Sequence, residues 1–468
     1  MNKSIRGVAM VVVLMFLALL VNISVSYMVR TDDLLEDPRN TRVRDEQFGG
    51  LRGPILAANT PIVFNVETGT RPYAYQRSYV DGPLYAPVTG FYSYNFGRSG
   101  LEQLYNSELI GQADSQFTQR ILDTLGGRGL TGGELQTTIQ PHAQQAAWDA
   151  LGGREGAVLA LDYTTGAVLA WVSTPSYDPA SLSSLDFAAT QEAWDALNSD
   201  PARPMNDRAT KEIYAPGSTF KIVVAAAALA NGYTPETMID TPASLPLPQS
   251  TRELPNLADC GNGQKSLDEA LTLSCNTTFA NIALDLGADT IREQAQAFGF
   301  DASFGGDTQS AISTFPADPG PAELAMSSIG QFEVASTPLQ MAVVAGAIAN
   351  EGVVMNPYVV SEVRNTNQRV LVSQSPSEHG RAMNAADATQ LRDMMTHVVT
   401  SGTATDVQIE GLTVGGKTGT AETTPETASY SWFTGFALEK NVAVAVWLAD
   451  PGFETANPVA RAVFEAVS

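Results

Sequence analysis

The chain has 468 residues, with Lys+Arg 27 against Asp+Glu 50 and a formal net charge of −23. Hydrophobic residues make up 44% and charged residues 16%, which excludes a disordered chain or a long coiled coil. The acidic balance excludes a nucleic-acid binder, which needs a basic face to displace counterions. The length allows roughly three domains of ~150 residues, or one large domain with a smaller one. His142, His379 and His397 are far apart and form no ligand-spaced pair, so a zinc site of the usual type is not expected; no cofactor is expected. Cys260 and Cys275 form no C-x-x-C, which leaves a thioredoxin-like role without support.

At the N-terminus, Lys3 and Arg6 precede an uncharged stretch from Gly7 to Val29. As a helix it would span ~34 Å, enough for a bilayer core of ~30 Å. An uncleaved anchor with its basic end inside fits this pattern. A cleaved signal peptide also fits, because Val8–Val21 has h-region length and Ser24-x-Ser26 is a small-x-small site. Both export everything after Arg30. A polar membrane-proximal linker follows, through Asp37-Pro38-Arg39-Asn40. The region up to about Leu130 is rich in Gly, Tyr and short alternating runs and is expected to be strands and loops. Gly126-Gly127-Arg128-Gly129 and Gly132-Gly133 punctuate its end.

Gly156–Asp162 and Gly166–Val172 are apolar runs joined by Tyr163-Thr164-Thr165, which predicts a β-hairpin. Phe220–Leu229 is almost unbroken apolar and predicts a buried helix. Leu267–Leu273 has helical character and ends at Ser274. Ser336–Ala349 predicts a helix with Pro338 in its first turn and Asn350-Glu351-Gly352 as its stop. Thr434–Ala437 and Asn441–Leu448 read as paired strands. Strands, then helices, then strands imply an α+β fold in which an antiparallel sheet is flanked by helices.

Three short motifs carry possible chemistry. In Pro216-Gly217-Ser218-Thr219-Phe220-Lys221, Ser218 and Lys221 share a helix face with Cβ atoms ~5–6 Å apart. A serine at a helix N-terminus lies in a field that favours an oxyanion, and a desolvated lysine can act as its base. The bland alternative is a capping serine and a lysine reaching solvent. In Ser274-Cys275-Asn276, Ser274 can pass a proton and Asn276 can bond a substrate amide through both its groups; a simple cap or turn is the alternative. In Lys417-Thr418-Gly419-Thr420, lysine and hydroxyls on an edge strand can bind a carboxylate while the backbone pairs with an extended peptide. Gly411–Thr418 also matches a P-loop formally, but it lacks a clear strand before and a helix after.

S-x-x-K, S-x-N and K-T-G in this order form the signature of penicillin-binding proteins and class A β-lactamases. The chain resembles a class B penicillin-binding protein, a monofunctional D,D-transpeptidase, of the penicillin-binding protein A type found in actinobacteria. Further likeness lies in Arg52-Gly53-Pro54-Ile55, Leu135–Ile139, Ser173–Pro179, Gly330-Gln331, Thr337–Ala342, Lys417–Glu422 and Trp432–Gly435. The likeness is specific over about residues 135–450 and thin over 32–130. It implies a β-lactamase/transpeptidase-like fold with a smaller N-terminal module and one transmembrane helix. Residues 1–31 would be cytoplasmic tail and anchor, 32–150 the non-catalytic module and 151–468 the transpeptidase domain.

The resemblance implies that Ser218 is the nucleophile that forms an acyl-enzyme with a D-Ala-D-Ala stem peptide. Lys221 would take its proton and Ser274 would relay a proton to the leaving nitrogen. Asn276 would hold the substrate amide and contact Lys221, and Lys417, Thr418, Gly419 and Thr420 would form the carboxylate-binding strand. The N–H groups of Ser218 and Thr420 would form the oxyanion hole. Expected partners are peptidoglycan stem peptides, β-lactams, a separate glycosyltransferase and cell-division or elongation proteins, with no nucleic acid. The expected location is the cell membrane, single-pass, with the catalytic domain outside. Many relatives carry His or Arg where this chain has Tyr430. A carboxypeptidase or β-lactamase on the same fold, and a non-catalytic divisome scaffold, are the alternatives. Cys260 and Cys275 in an exported chain permit a disulfide, worth ~3 kcal/mol by loop closure; two buried thiols are the other possibility.

Overall fold

The computed structural model describes residues 3–29, 41–117, 120–121, 126, 131–421, 429–449 and 455–468. The expected linker over 31–40, the boundary residues Gly127-Arg128-Gly129 and the motif residue Glu422 lie outside the described residues. Helix α1 (Lys3–Val29) is apolar, and its Ile5–Tyr27 segment is long enough to cross a membrane.

Two large sheets organise the rest. The first takes β1 (Ile55–Ala57), β2 (Thr60–Glu67), β3 (Tyr75–Tyr79) and β4 (Glu134–Thr137) from the N-terminal half. The second begins with the predicted hairpin, β5 (Gly156–Asp162) and β6 (Val168–Thr174). Strands β7 (Val360–Arg364) and β8 (Val370–Ser373) return to the first sheet, whose order is β8-β7-β4-β1-β2-β3. Strands β9 (Val414–Ala421), β10 (Tyr430–Ala437) and β11 (Val442–Ala449) complete the second, in the order β9-β10-β11-β5-β6. All its pairings are antiparallel, and β9 is a free edge.

The second sheet is covered on both faces, so β5 and β6 read as continuous apolar runs rather than alternating ones. Helices α2 (Pro141–Leu151), α6 (Pro338–Ala349), α7 (Ala385–Ser401) and α8 (Asn457–Ala466) pack on the sheet, while α3 (Lys221–Ala230), α4 (Leu267–Leu273) and α5 (Asn276–Leu286) pack on one another and, through α3 and α4, on α7. Helix α6 packs on β5, β10 and β11, while α2 and α8 pack on each other and on β6 and β11. Helix α6 is buried along its whole length, and Thr337 caps it by accepting from Gln340 N at 3.0 Å.

The N-terminal region is not only strands and loops. Gly82–Thr89 is a helix, followed by shorter turns of helix at Gly100–Leu104 and Asn106–Leu109. These pieces are too short to show a 3.6-residue period, and tertiary packing sustains them. A buried ion cluster holds this region together: Glu102 accepts from Arg52 at 2.7 Å and from Arg77 at 2.6 Å. Burial pushes the Glu102 carboxyl up, but Arg77 and Arg52 outweigh it and hold it below its ordinary value.

Candidate active site

Ser218 sits in a 3-10 turn, Gly217–Phe220, that runs directly into α3. The turn is pressed against the edge strand β9. A Cβ on Gly217, at φ +55°, would lie 2.5 Å from Thr420 O. Gly330 packs on the other side, with Gly217 N donating to Gly330 O at 3.0 Å. Only glycine fits both demands at 217. Because the Thr420 carbonyl faces Gly217, the Thr420 N–H also faces the free edge, since both groups of one strand residue point the same way. The Ser218 N–H lies in the first turn, where helical N–H groups have no intrahelical partner.

Lys221 is fully buried, one turn along from Ser218. Its amine donates to Ser274 O (2.8 Å), Ser274 Oγ (3.2 Å) and Asn276 Oδ1 (2.7 Å). No hydrogen bond joins it to Ser218 Oγ among the described residues. Burial and then the neighbouring Lys417 charge drive the Lys221 amine well below its ordinary value of 10.5. Lys417 is also fully buried, and among the described residues its amine makes one hydrogen bond, to Thr418 O at 3.2 Å. Burial pushes it down to about 7. Both amines therefore give up a proton more readily than an exposed lysine does.

Ser274 terminates α4 in a left-handed conformation, φ +64°. This uncommon conformation for a side-chain-bearing residue turns the chain between α4 and α5 and brings Ser274 to Lys221. Asn276 is buried, and its Nδ2 donates to Pro255 O at 2.9 Å. With Oδ1 on Lys221, only the second Nδ2–H is left for a substrate, so the expectation that both groups of the amide bind it is corrected. The reason is that the 255–260 segment folds back over α5. Thr277 N donates to Asn256 Oδ1 at 3.0 Å, and Cys260 and Cys275 form a disulfide. The bond anchors the residue between Ser274 and Asn276.

A cavity of about 310 Å³ brings together Ser218, Ser274, Asn276, Thr418, Gly419 and Thr420. Lys221 and Lys417 lie beneath it rather than on its wall. Its wall also contains Leu257, Ala258, Thr403, Ser431, Thr455 and Asn457, which carry no motif. Only Ser274-Cys275-Asn276, through the neighbouring cysteine pair, offered a signal for the 257–258 segment. Trp432 is fixed by Nε1 donating to Ala215 O at 2.9 Å. Tyr430 packs edge-on to Tyr214 and Trp447, outside the cavity wall. Val414–Ala421 is one extended strand with Lys417 inside it, so the formal P-loop match is not a phosphate-binding loop. A larger cavity, about 460 Å³, lies between residues 86–104 and 204–212. Its Asp207 is already bonded to Trp171, Ala209 and Thr210. It holds none of the three motifs.

Residues 156–468 match the family model for the penicillin binding protein transpeptidase domain, and residues 52–135 match that for the penicillin binding protein A dimerisation domain. The chain is 41% identical to the peptidoglycan D,D-transpeptidase PbpA of Mycolicibacterium smegmatis, over 97% of this chain and 94% of that protein. It is similar in structure to penicillin-binding protein A from M. tuberculosis. The ceftriaxone acyl-enzyme complex of that protein superposes with TM-score 0.87 and 37% identity, covering 90% of this chain and 99% of that one. Its penicillin G acyl-enzyme complex gives TM-score 0.84 and 38% identity, covering 89% and 99%. Motifs, fold and likeness agree, and the chain belongs to the penicillin-binding protein transpeptidase family.

Proposed function

We propose that this protein is a peptidoglycan D,D-transpeptidase that works through a Ser218 acyl-enzyme. The observation that carries this is the buried Lys221 amine, one helical turn from Ser218, held by Ser274 and Asn276 and depressed by burial and by Lys417. Neutral Lys221 takes the Ser218 proton as Oγ attacks the carbonyl between the two D-alanines. The N–H groups of Ser218 and Thr420 stabilise the oxyanion. The proton passes from Lys221 through Ser274 Oγ to the leaving nitrogen, the C–N bond breaks and D-alanine departs. An amine from a neighbouring stem then attacks the ester and releases Ser218. Thr418 and Thr420, on the strand where Gly419 lets the 216–219 turn pack close, bind the terminal carboxylate, and Lys417 beneath them supplies the positive charge. Asn276 holds Lys221 and offers its remaining N–H to the substrate.

Helix α1 anchors the chain in the cell membrane by a single pass, with the catalytic residues outside. Its partners are stem peptides and β-lactams, a separate glycosyltransferase and division or elongation proteins. The test is labelling with a fluorescent penicillin, wild type against Ser218→Ala, followed by chase and intact mass. A durable adduct lost in the variant is the expected result. Rapid turnover of the adduct would favour hydrolysis by a carboxypeptidase or β-lactamase. No adduct in folded wild type would leave only a scaffold.

A further inference from the structure

Thr403 lies on the cavity wall but belongs to none of the three motifs. Its Oγ1 is 2.6 Å from Thr418 Oγ1. The loop that carries it is tightly anchored. A Cβ on Gly402 would lie 2.5 Å from Thr272 O, so the backbone packs directly on α4. Ala404 is fully buried, and its N–H donates to Val398 O at 3.1 Å. From the other side, Asn457 on α8 donates Nδ2 to Asp406 Oδ1 at 2.7 Å. Thr403 itself is exposed, so its neighbours hold the loop while its hydroxyl is presented to the cavity.

A threonine hydroxyl has one proton, so only one member of the pair donates to the other. Thr418 can donate to a carboxylate only if it does not donate to Thr403. A ligand anion therefore selects one arrangement: Thr403 donates to Thr418, and Thr418 donates to the anion. Such a chain polarises the outer hydroxyl and holds its proton in place.

We infer that Thr403 is a positioning residue for the substrate carboxylate, acting through Thr418. The inference rests on the transpeptidase function proposed above. The test compares second-order acylation rates for penicillin G and for its methyl ester, in which the carboxylate charge is removed. In Thr403→Val the penicillin G rate falls about threefold to tenfold, the weight of one hydrogen bond. The ester rate stays within about twofold, because its smaller demand on Thr418 does not use the aligned proton. Thr403→Ser keeps the hydroxyl and restores the penicillin G rate. In a Thr418→Val background, Thr403→Val adds no further loss. Equal losses for acid and ester, failure of Thr403→Ser to restore, or additive losses would each overturn the inference. A wild type that forms no adduct at all would instead overturn the proposed function, and this inference with it.

Discussion

Lys417 is expected to cost the fold stability, and Lys417→Met measures how much. The amine is fully buried with a single hydrogen bond among the described residues, and its pKa falls from 10.5 to about 7. Between pH 7 and about 10.5 the unfolded chain therefore binds more protons than the folded one, and stability rises with pH. Integrating that difference gives a penalty of about 4 kcal/mol at pH 7 and about 2 kcal/mol at pH 9. Methionine keeps the apolar stem and removes the charge, and the lost hydrogen bond offsets about 1 kcal/mol. The variant is expected to be more stable by about 3 kcal/mol at pH 7 and about 1 kcal/mol at pH 9. Losing the like charge beside Lys221 acts in the same direction. Denaturant unfolding of the protein lacking α1, wild type against variant at both pH values, checks this. A variant destabilised at pH 7, or a difference that does not shrink with pH, would refute the claim that a desolvated ammonium sits at 417. The same variant is expected to acylate poorly, because stability and carboxylate binding compete at this position.

Lys221→Arg keeps a permanent charge where a neutral base is needed, so penicillin acylation should fall about 10²- to 10⁴-fold in stopped-flow or gel-based rates. In the wild type the rate should rise with pH as Lys221 deprotonates and level off well below 10.5, and Lys417→Met should move that rise to higher pH. Glu102→Ala strands two buried arginines and should cost about 3–5 kcal/mol in a denaturant midpoint. The folded Glu102 pKa is depressed, so its contribution is complete above the unfolded value and should fade as pH drops through the folded one. Replacing Cys260 and Cys275 by alanine should lower stability by about 3 kcal/mol and slow acylation, since the bridge anchors the Ser274–Asn276 turn. Thermal melts with and without reductant give the first quantity and penicillin labelling gives the second.

The sequence by itself determined the elements whose signal is local. The β5–β6 hairpin, the buried helices α3 and α6 and the C-terminal strand pair follow from apolar runs bounded by turn and cap residues. Ser218 and Lys221 are joined by helical spacing, and the order of the three motifs pointed to the chemistry. Only the tertiary structure brought residues 360–373 back beside 134–137, into the sheet that also holds 55–79, because strand pairing over such distances leaves no local trace. The resemblance implied the Asn276–Lys221 contact; only the tertiary structure showed that Lys221 also rests on Ser274, that Pro255 O holds the other end of the Asn276 amide, and that the two cysteines meet. Thr403, Ser431 and Asn457 were illegible for the same reason. A polar residue on a loop looks alike whether it faces water or a cavity, and the packing of α4, α8 and the edge strand β9 makes the difference.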